Sequence, residues 1–204
     1  MLLIRRRRPI GEPAALVDLD DTGVGTVEGT AGAGRIAQAL IELGYLLDSV
    51  TQAVIPTDLG LDAPARLDLG RRFETVVLGS HLVNLPDEER RAAFLALAAR
   101  HLTDAGVVLV EHHPIDWAET AEDVRPRPGS QVGMEDVRRD PPIVSAVSVY
   151  DIVGRLVRQP FTARVLTEAE LADELEASGL VVRRRLSPTW LAAGPDGFRV
   201  PGIQ

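Results

Sequence analysis

The stretch VEGTAGAGR, Val27–Arg35, brings a carboxylate, three glycines and the start of a helix-like segment together in one short loop. Glycines permit positive φ angles and let a ligand approach the backbone closely. A helix that begins after such a turn offers free N–H groups and the positive end of its dipole. Two interpretations follow: the loop holds a ligand at the carboxyl edge of a parallel sheet, or it is only a tight strand-to-helix corner.

Segments of strand and helix character alternate on both sides of this loop. Val24–Glu28, Phe73–Ser80 and Gly106–His113 are near-continuous apolar strands, whereas Arg35–Leu43 and Pro86–Leu102 have helical spacing. Apolar strands that alternate with helices are typical of a parallel sheet covered on both faces. The sequence predicts an α/β fold with a Rossmann-like, doubly wound, mostly parallel sheet in three α/β/α layers, completed by antiparallel C-terminal strands.

The last third of the chain has a different character. Residues 114–142 are rich in proline, glycine and charge, which predicts a long loop. Alternating segments on either side of Gly154 predict a hairpin extension near 143–166. The expected organisation is therefore an irregular N-terminal segment over residues 1–22 and one domain over residues 23–204.

A helix and two strands are expected to finish that domain. Thr167 and Glu170 have the spacing of a capping box, and Gly179 is placed to end the helix. The segments LVVRRRL and TWLAAG then predict two short strands.

Composition excludes several classes of protein. Of 204 residues, 45% are hydrophobic and 25% charged, which is ordinary for a soluble globular domain, and there is no cysteine for a disulfide, thiolate or nucleophile. No apolar run approaches the roughly 20 residues of a membrane helix, and MLLIRRRRP has the reverse order of a secretory signal. The net charge of −8 argues against a nucleic-acid partner, and Arg5–Arg8 are expected to form a solvated tail. We therefore expect a cytoplasmic protein with no membrane or nucleic-acid partner.

Two known ligand loops do not fit the glycine-rich stretch. A phosphate-binding P-loop needs Gly-Lys-Ser/Thr after its last glycine, but Arg35 and Ile36 stand there. A dinucleotide fingerprint has the order G-x-G-x-x-G, whereas this chain has G-x-x-G-x-G. The glycine order also counts against a nucleotide-linked oxidoreductase.

The stretch EGTAGAGR instead resembles the first motif of class I S-adenosylmethionine-dependent methyltransferases, written E/D-x-G-x-G-x-G. Its matching positions are Glu28, Gly29, Ala31 at the second-glycine place, Gly32 and Gly34. The resemblance implies that this loop surrounds the methionine part of S-adenosylmethionine and that Glu28 orients the ammonium group. An acid at this place suits a sulfonium and an ammonium group but would repel a pyrophosphate.

Three later segments extend the resemblance over about residues 24–194. Leu67–Asn84 is similar to the fourth-strand region of small bacterial methyltransferases, where a small or polar residue, here Ser80, follows the strand. Ala98–Glu111 looks like the family's turn before strand five, and Phe161–Val182 resembles the helix and strand that finish the fold. The resemblance implies that Ser80 contributes to the cofactor site.

The adenosine side of the expected cofactor site matches the family less well. Asp48, followed by Ser49 in LLDSV, is the best match to the acid that ends strand two and accepts the ribose hydroxyls, but it follows Gly34 more closely than is usual. The resemblance implies that Asp58, with Leu59, ends strand three beside the adenine amino group. The alternative for both acids is a solvated turn residue.

Histidines follow the two clearest strands. His81 comes just after the expected strand four and is the best candidate for a general base or an acceptor-orienting group; the alternative is a hydrogen-bonded turn residue. His112 and His113 with Glu111 suggest a metal site, but adjacent histidines on a strand point to opposite faces, so no metal is expected. Trp117 either lines an acceptor pocket or anchors a loop.

Two functions remain open on the sequence. One is transfer of a methyl group from S-adenosylmethionine to a small-molecule acceptor. The other is a non-catalytic protein that keeps the fold as a binding or assembly subunit. The hairpin around Gly154 either shapes the substrate side or pairs two copies of the chain in a homodimer.

Overall fold

A computed structural model of the protein describes residues 2–6, 47–52, 68, 70–125, 132–152 and 155–196, with backbone alone for 2–6, 47–52, 132, 151–152 and 155. In chain order its elements are β1 (Leu2–Arg6), β2 (Leu47–Gln52), β3 (Phe73–Leu78), α1 (Glu88–Arg100), β4 (Leu102–Glu111), α2 (Trp117–Thr120), β5 (Val132–Asp140), β6 (Ile143–Ile152), β7 (Arg155–Arg164), α3 (Glu168–Ala177), β8 (Leu180–Ser187) and β9 (Trp190–Pro195).

Six strands form the main sheet in the order β2-β1-β3-β4-β9-β8. The pair β3–β4 is parallel, whereas β1 is antiparallel to both of its neighbours and β9 is antiparallel to β4 and β8. Consequently β2, β3, β4 and β8 run in one direction and β1 and β9 run in the other. The predicted α/β class and the antiparallel C-terminal strands are confirmed, and the sheet is mixed.

The main core lies between this sheet and the two long helices. Val76 and Leu78 of β3 and Val108 and Val110 of β4 alternate along their strands and form one buried cluster with side chains of α1 and α3. Alternate residues of a strand point to opposite faces, so both helices cover the same face of the sheet. Among the residues described, no long helix covers the other face, and the predicted third layer remains a prediction.

Local signals place the two helices as the sequence predicts. Asp87 caps α1 by accepting the Arg90 N–H at 2.9 Å, and Thr167 and Glu170 form the complete capping box of α3. The helices are joined by the buried Arg91 guanidinium, whose Nη2 lies 2.6 Å from Glu174 Oε1. This pair fixes the helix layer beneath the carboxyl ends of β3 and β4.

A second sheet is built from the chain that follows β4. It has the order β5-β6-β7, entirely antiparallel, and Ile152 faces Arg155 at the end of the predicted hairpin. The prediction of one long loop over residues 114–142 is wrong, because that span contains α2 and β5. In β5 the register shifts between Glu135 and Arg138, around a left-handed Asp136 (φ 56°), which interrupts the alternation that marks a strand in sequence.

The N-terminal part of the chain also differs from expectation. Leu2–Arg6 is a strand between β2 and β3, not part of an irregular segment, and it includes two of the arginines assigned to a solvated tail. β4 begins at Leu102, earlier than the expected turn at Asp104–Gly106, and its register to β3 shifts there. The glycine-rich loop Val27–Arg35 lies outside the described residues. In the part of the chain that is described, no helix has the length and apolar character needed to cross a membrane.

Candidate active site at the carboxyl edge of the main sheet

The parallel pair β3–β4 brings two polar segments together at its carboxyl edge, the edge at which open α/β sheets bind ligands. Ser80 and His81 follow β3, and Glu111 is the last residue of β4. The Ser80 N–H donates a hydrogen bond to Glu111 Oε2 at 2.6 Å, and His81 Nε2 lies 3.8 Å from Glu111 Oε1. The carboxylate is thus held by one oxygen, while its other oxygen faces the imidazole.

The turn after β3 has an uncommon backbone. Ser80 and His81 both have left-handed φ angles, 58° and 51°. Such angles in non-glycine residues cost free energy and persist where the surrounding contacts enforce them, often at functional sites. Here the Ser80–Glu111 hydrogen bond and the following 3₁₀ turn, Leu82–Asn84, hold the conformation.

Four rings stack in a row that leads from this turn to the second sheet. The ring centroids of His81 and His113 are 3.8 Å apart at 9°, and those of His113 and Trp117 are 3.7 Å apart at 4°. Phe161 of β7 continues the row at 6.5 Å from Trp117. Trp117 therefore packs between the two sheets and fixes the plane in which His113 and His81 lie.

A buried asparagine that sequence analysis did not identify locks this arrangement. Asn84 is 2% exposed; its side-chain N–H donates to the Arg164 carbonyl at 2.8 Å, and its Oδ1 accepts the His113 N–H at 2.9 Å. It ties the ends of β3, β4 and β7 together. The only sequence signal was an amide three residues after His81, in a segment that otherwise looks like a loop.

Burial makes two of these histidines poor bases. Desolvation lowers the pKa of His81, Glu111 opposes that shift, and His112 adds to it. Desolvation, with His81 and His112 beside it, lowers the pKa of His113 to about 3. Both rings are therefore neutral at pH 7.

The contacts of His81 fix where its single ring proton lies. Its Nδ1 is buried and, in the described structure, has no hydrogen-bond partner. An N–H at that position would be an unsatisfied buried donor, so the proton is better placed on Nε2, facing the Glu111 carboxylate. His81 thus presents a donor, and Glu111 an acceptor, at the same edge.

A cleft of about 390 Å³ opens beside His113. It lies between the end of β4, the first turn of α3 and the turn that joins β8 to β9, and we call it the α3 cleft. Its lining includes His112, Ile115, Leu171 and Val182.

The structure describes only three of the residues that the sequence assigns to the cofactor site, namely Ser80, Asp48 and Ser49. Ser80 lies at the carboxyl edge, as expected. Asp48 and Ser49 are the second and third residues of β2, and Ser49 pairs with Arg5 while Gln52 pairs with Leu2. The prediction that Asp48 ends a strand is wrong: because Leu2 in turn pairs with Val77, Asp48 is near the amino end of β3.

The remaining candidates for the cofactor site lie outside the described residues: Glu28, Gly29, Ala31, Gly32, Gly34, Asp58 and Leu59. As for a metal, no cluster of three or more histidine, aspartate or glutamate side chains suited to one occurs within the described segments.

No protein-family model and no curated protein matches the sequence. Several solved structures are similar to the structure of this chain. They include CcbJ of Streptomyces caelestis, with 18% identity and a TM-score of 0.48 over 65% of this chain and 61% of that one. A protein of Clostridium acetobutylicum has 11% identity and a TM-score of 0.49 over 78% of this chain and 68% of that one. A third is KedS8 of Streptoalloteichus, with 19% identity and a TM-score of 0.46 over 65% of this chain and 60% of that one. All three are methyltransferases.

The second is S-adenosylmethionine-dependent, and the third is a sugar N-methyltransferase. Methyl transfer, which the names of these three structures give as their activity, is also the activity that the sequence resemblance implies. This chain spans less than two thirds of the length of CcbJ and KedS8. With TM-scores below 0.5 and identities below 25%, the reaction of this chain has to be argued from its own residues.

Proposed function

We propose that the protein transfers the methyl group of S-adenosylmethionine to a small-molecule acceptor at the carboxyl edge of β3 and β4. The observation that carries the proposal is the pairing of Glu111 with the neutral His81 on a strained turn, next to an open cleft. A strained backbone, a partly exposed carboxylate and an imidazole held at one sheet edge form a constellation built for a ligand.

The charges at this edge suit the cofactor. Bound S-adenosylmethionine supplies a methyl carbon attached to a positively charged sulfur. Glu111 is an acid and the rings of His81 and His113 are neutral, so a cation is favoured here over a phosphate. Glu28, with the glycines of its loop, is proposed to hold the methionine end, and Ser80 to lie beside it. Asp58 and Leu59 remain sequence-based proposals for the adenosine end, whereas Asp48 and Ser49, which lie towards the amino end of β3, are no longer proposed for it.

Glu111 and His81 are proposed to orient the acceptor and remove its proton. An acceptor hydroxyl donates to Glu111 Oε1 and accepts from His81 Nε2–H with one lone pair, which leaves its second lone pair for the methyl carbon. An acceptor amine donates to Glu111 Oε1 alone and keeps its single lone pair for the methyl carbon. As that oxygen or nitrogen bonds to the methyl carbon and the carbon–sulfur bond breaks, Glu111 takes the acceptor's proton. A Glu111–His81 distance of 3.8 Å leaves both groups free to contact the acceptor, and such contacts commonly shorten when substrate binds.

A small acceptor is favoured by charge and by space. The net charge of −8 opposes the phosphates of a nucleic acid. The α3 cleft has a volume of about 390 Å³, within the range of small-molecule sites.

The first test is calorimetric titration with S-adenosylmethionine and S-adenosylhomocysteine. We expect both to bind and Glu28→Gln to weaken binding, while Glu74→Gln, at an exposed position near the amino end of β3, leaves it unchanged. A panel of amines, phenols and alcohols should then identify an acceptor through release of S-adenosylhomocysteine. Absence of binding up to millimolar ligand would overturn the proposal; binding without turnover across the panel would favour the non-catalytic alternative.

A further inference from the structure

The lining of the α3 cleft combines an apolar wall with His112, a buried residue whose Nε2 has no hydrogen-bond partner among the described residues. Its wall is formed by residues from four parts of the chain: Pro114, Ile115, Leu166, Leu171, Val182 and Leu191. His112 is also part of the lining and is itself 6% exposed. A mostly apolar cavity with few polar groups is the usual form of a small-molecule site.

The hydrogen bonds of His112 define what its free nitrogen can do. Its Nδ1 lies 3.0 Å from the His113 carbonyl, which can only accept, so Nδ1 carries the hydrogen. In the neutral ring, Nε2 is then a bare acceptor. This atom is buried and has no partner in the described structure. The backbone N–H of His112 donates to the Thr189 carbonyl at 2.9 Å, so the residue is fixed in place.

Because His112 Nε2 is a buried acceptor without a partner in the described structure, a ligand that carries a hydrogen-bond donor suits it. A group that brings an N–H or O–H to Nε2 removes the desolvation cost, whereas a carboxylate would set two acceptors against each other. The cleft rim also opposes an anion: it carries Asp116 and Glu168 against Arg185, and the Arg185 Nη2 is already 2.7 Å from Glu168 Oε1.

We infer that the α3 cleft binds a small, largely apolar molecule through a hydroxyl or amine that donates to His112 Nε2. His113 borders both the cleft and the ring stack with His81. If the proposed methyl transfer holds, this molecule is the acceptor: the group that donates to His112 anchors it, its apolar body lies in the cleft, and a second hydroxyl or amine, the reacting one, extends to Glu111. Binding in the cleft does not itself depend on that reaction.

Four probes with one common ring test the ligand class: benzyl alcohol, benzylamine, toluene and benzoate. They are titrated into the ¹⁵N-labelled protein, and the Nε2 resonance of His112 is followed by NMR. We expect benzyl alcohol and benzylamine to move that resonance and to bind about tenfold more tightly than toluene, the effect of one hydrogen bond. Benzoate should bind least. Equal affinities for the four probes, or no binding by any of them, would overturn the inference.

Two pairs of variants locate the effect. His112→Asn keeps a donor for the His113 carbonyl and loses Nε2, so benzyl alcohol and toluene should bind alike; His112→Gln, which returns an amide at that position, should restore part of the difference. Ala172→Phe fills the cleft from α3 and should abolish binding, whereas Ala177→Phe, exposed on the same helix, should not. Unchanged probe binding in Ala172→Phe would place the ligand elsewhere.

These titrations are made without S-adenosylmethionine, so the two proposals can fail separately. Probe binding in a protein that does not bind S-adenosylmethionine would retain the cleft and reject methyl transfer. Cofactor binding in a protein whose cleft takes none of the probes would reject the cleft.

Discussion

Histidines lie at both ends of the parallel pair β3–β4, but the hydrogen bonding of their ring nitrogens differs. At the amino end His101 is 1% exposed, its Nδ1 lies 3.0 Å from the Leu97 carbonyl, and its own carbonyl accepts the Phe73 N–H at 2.7 Å. At the carboxyl end, His81 Nδ1 and His112 Nε2 are buried without a partner in the described structure.

The backbone shows the same contrast. His101 has an ordinary φ of −93°, whereas His81 is left-handed at 51°. Unsatisfied buried atoms and strained backbone both reduce stability, so a fold keeps them where something else depends on them. The comparison therefore separates a histidine that stabilises the sheet from two histidines that lie at the proposed ligand sites.

The largest effect is expected at the carboxyl end. Glu111→Gln keeps an oxygen for the Ser80 N–H but removes the proton acceptor, so kcat should fall about a hundredfold to ten-thousandfold with the folded structure retained. Release of S-adenosylhomocysteine with the acceptor from the panel measures it. His81→Asn is the companion variant, since asparagine tolerates the left-handed φ, and it should also lower kcat. Full activity of Glu111→Gln would remove the proposed base.

At the amino end we expect loss of stability without loss of function. His101→Ala leaves a cavity and removes the contact with the Leu97 carbonyl, which should cost about 2–4 kcal/mol in the free energy of unfolding. Urea titration measures it. His101→Asn, which keeps a donor near Nδ1, should recover part of that loss. Weakened benzyl alcohol binding in folded His101→Ala would contradict the contrast between the two ends.

The dependence of stability on pH sharpens the comparison. The pKa of His113 falls from 6.5 to about 3 on folding, so the unfolded chain binds the extra proton between these values. The neutral His113 therefore leaves the free energy of unfolding at its full value above pH 6.5. As the pH falls from 6.5 towards 3, that free energy decreases by up to about 1.4 kcal/mol per pH unit. His113→Phe keeps a ring between His81 and Trp117 and should show a smaller slope in urea unfolding at each pH. Identical slopes would show that His113 titrates normally.

The smallest effect is expected for an exposed ion pair at the amino end. Arg72 Nη1 lies 3.0 Å from Asp104 Oδ1, with side chains 61% and 99% exposed. Water and salt screen such a pair, so Arg72→Gln should leave the urea midpoint unchanged. A clear shift that disappears in high salt would show that the pair supports the β3–β4 register.

Local signals in the sequence predicted much of the fold. The Thr167–Glu170 capping box marks the start of α3, and alternation around Gly154 marks the hairpin, because caps and periodicity depend only on neighbouring residues. The same signals missed β5, whose pattern is broken by the shift around Asp136. They also missed β1, which is explained by its partners β2 and β3 and not by its own residues.

The candidate site was predicted in outline. Polar residues after two apolar strands made Ser80 and His81 candidates, and parallel pairing places such residues at one edge. His113 was considered only for a metal site, which the sequence did not favour. Asp48 was assigned to the end of a strand that in fact begins beside it, because strand boundaries set by pairing are not visible in one segment.

The sequence by itself determined the order of β3, α1, β4, the β6–β7 hairpin, α3, β8 and β9, and the kind of residue that follows β3 and β4. Only the tertiary structure decided that Ser80 bonds to Glu111, that His113 stacks between His81 and Trp117, and which nitrogen of each ring remains free. The reason is physical: caps and periodicity act within a few residues. Contacts across 31 positions depend on the register of β3 against β4 and on the burial that this register creates.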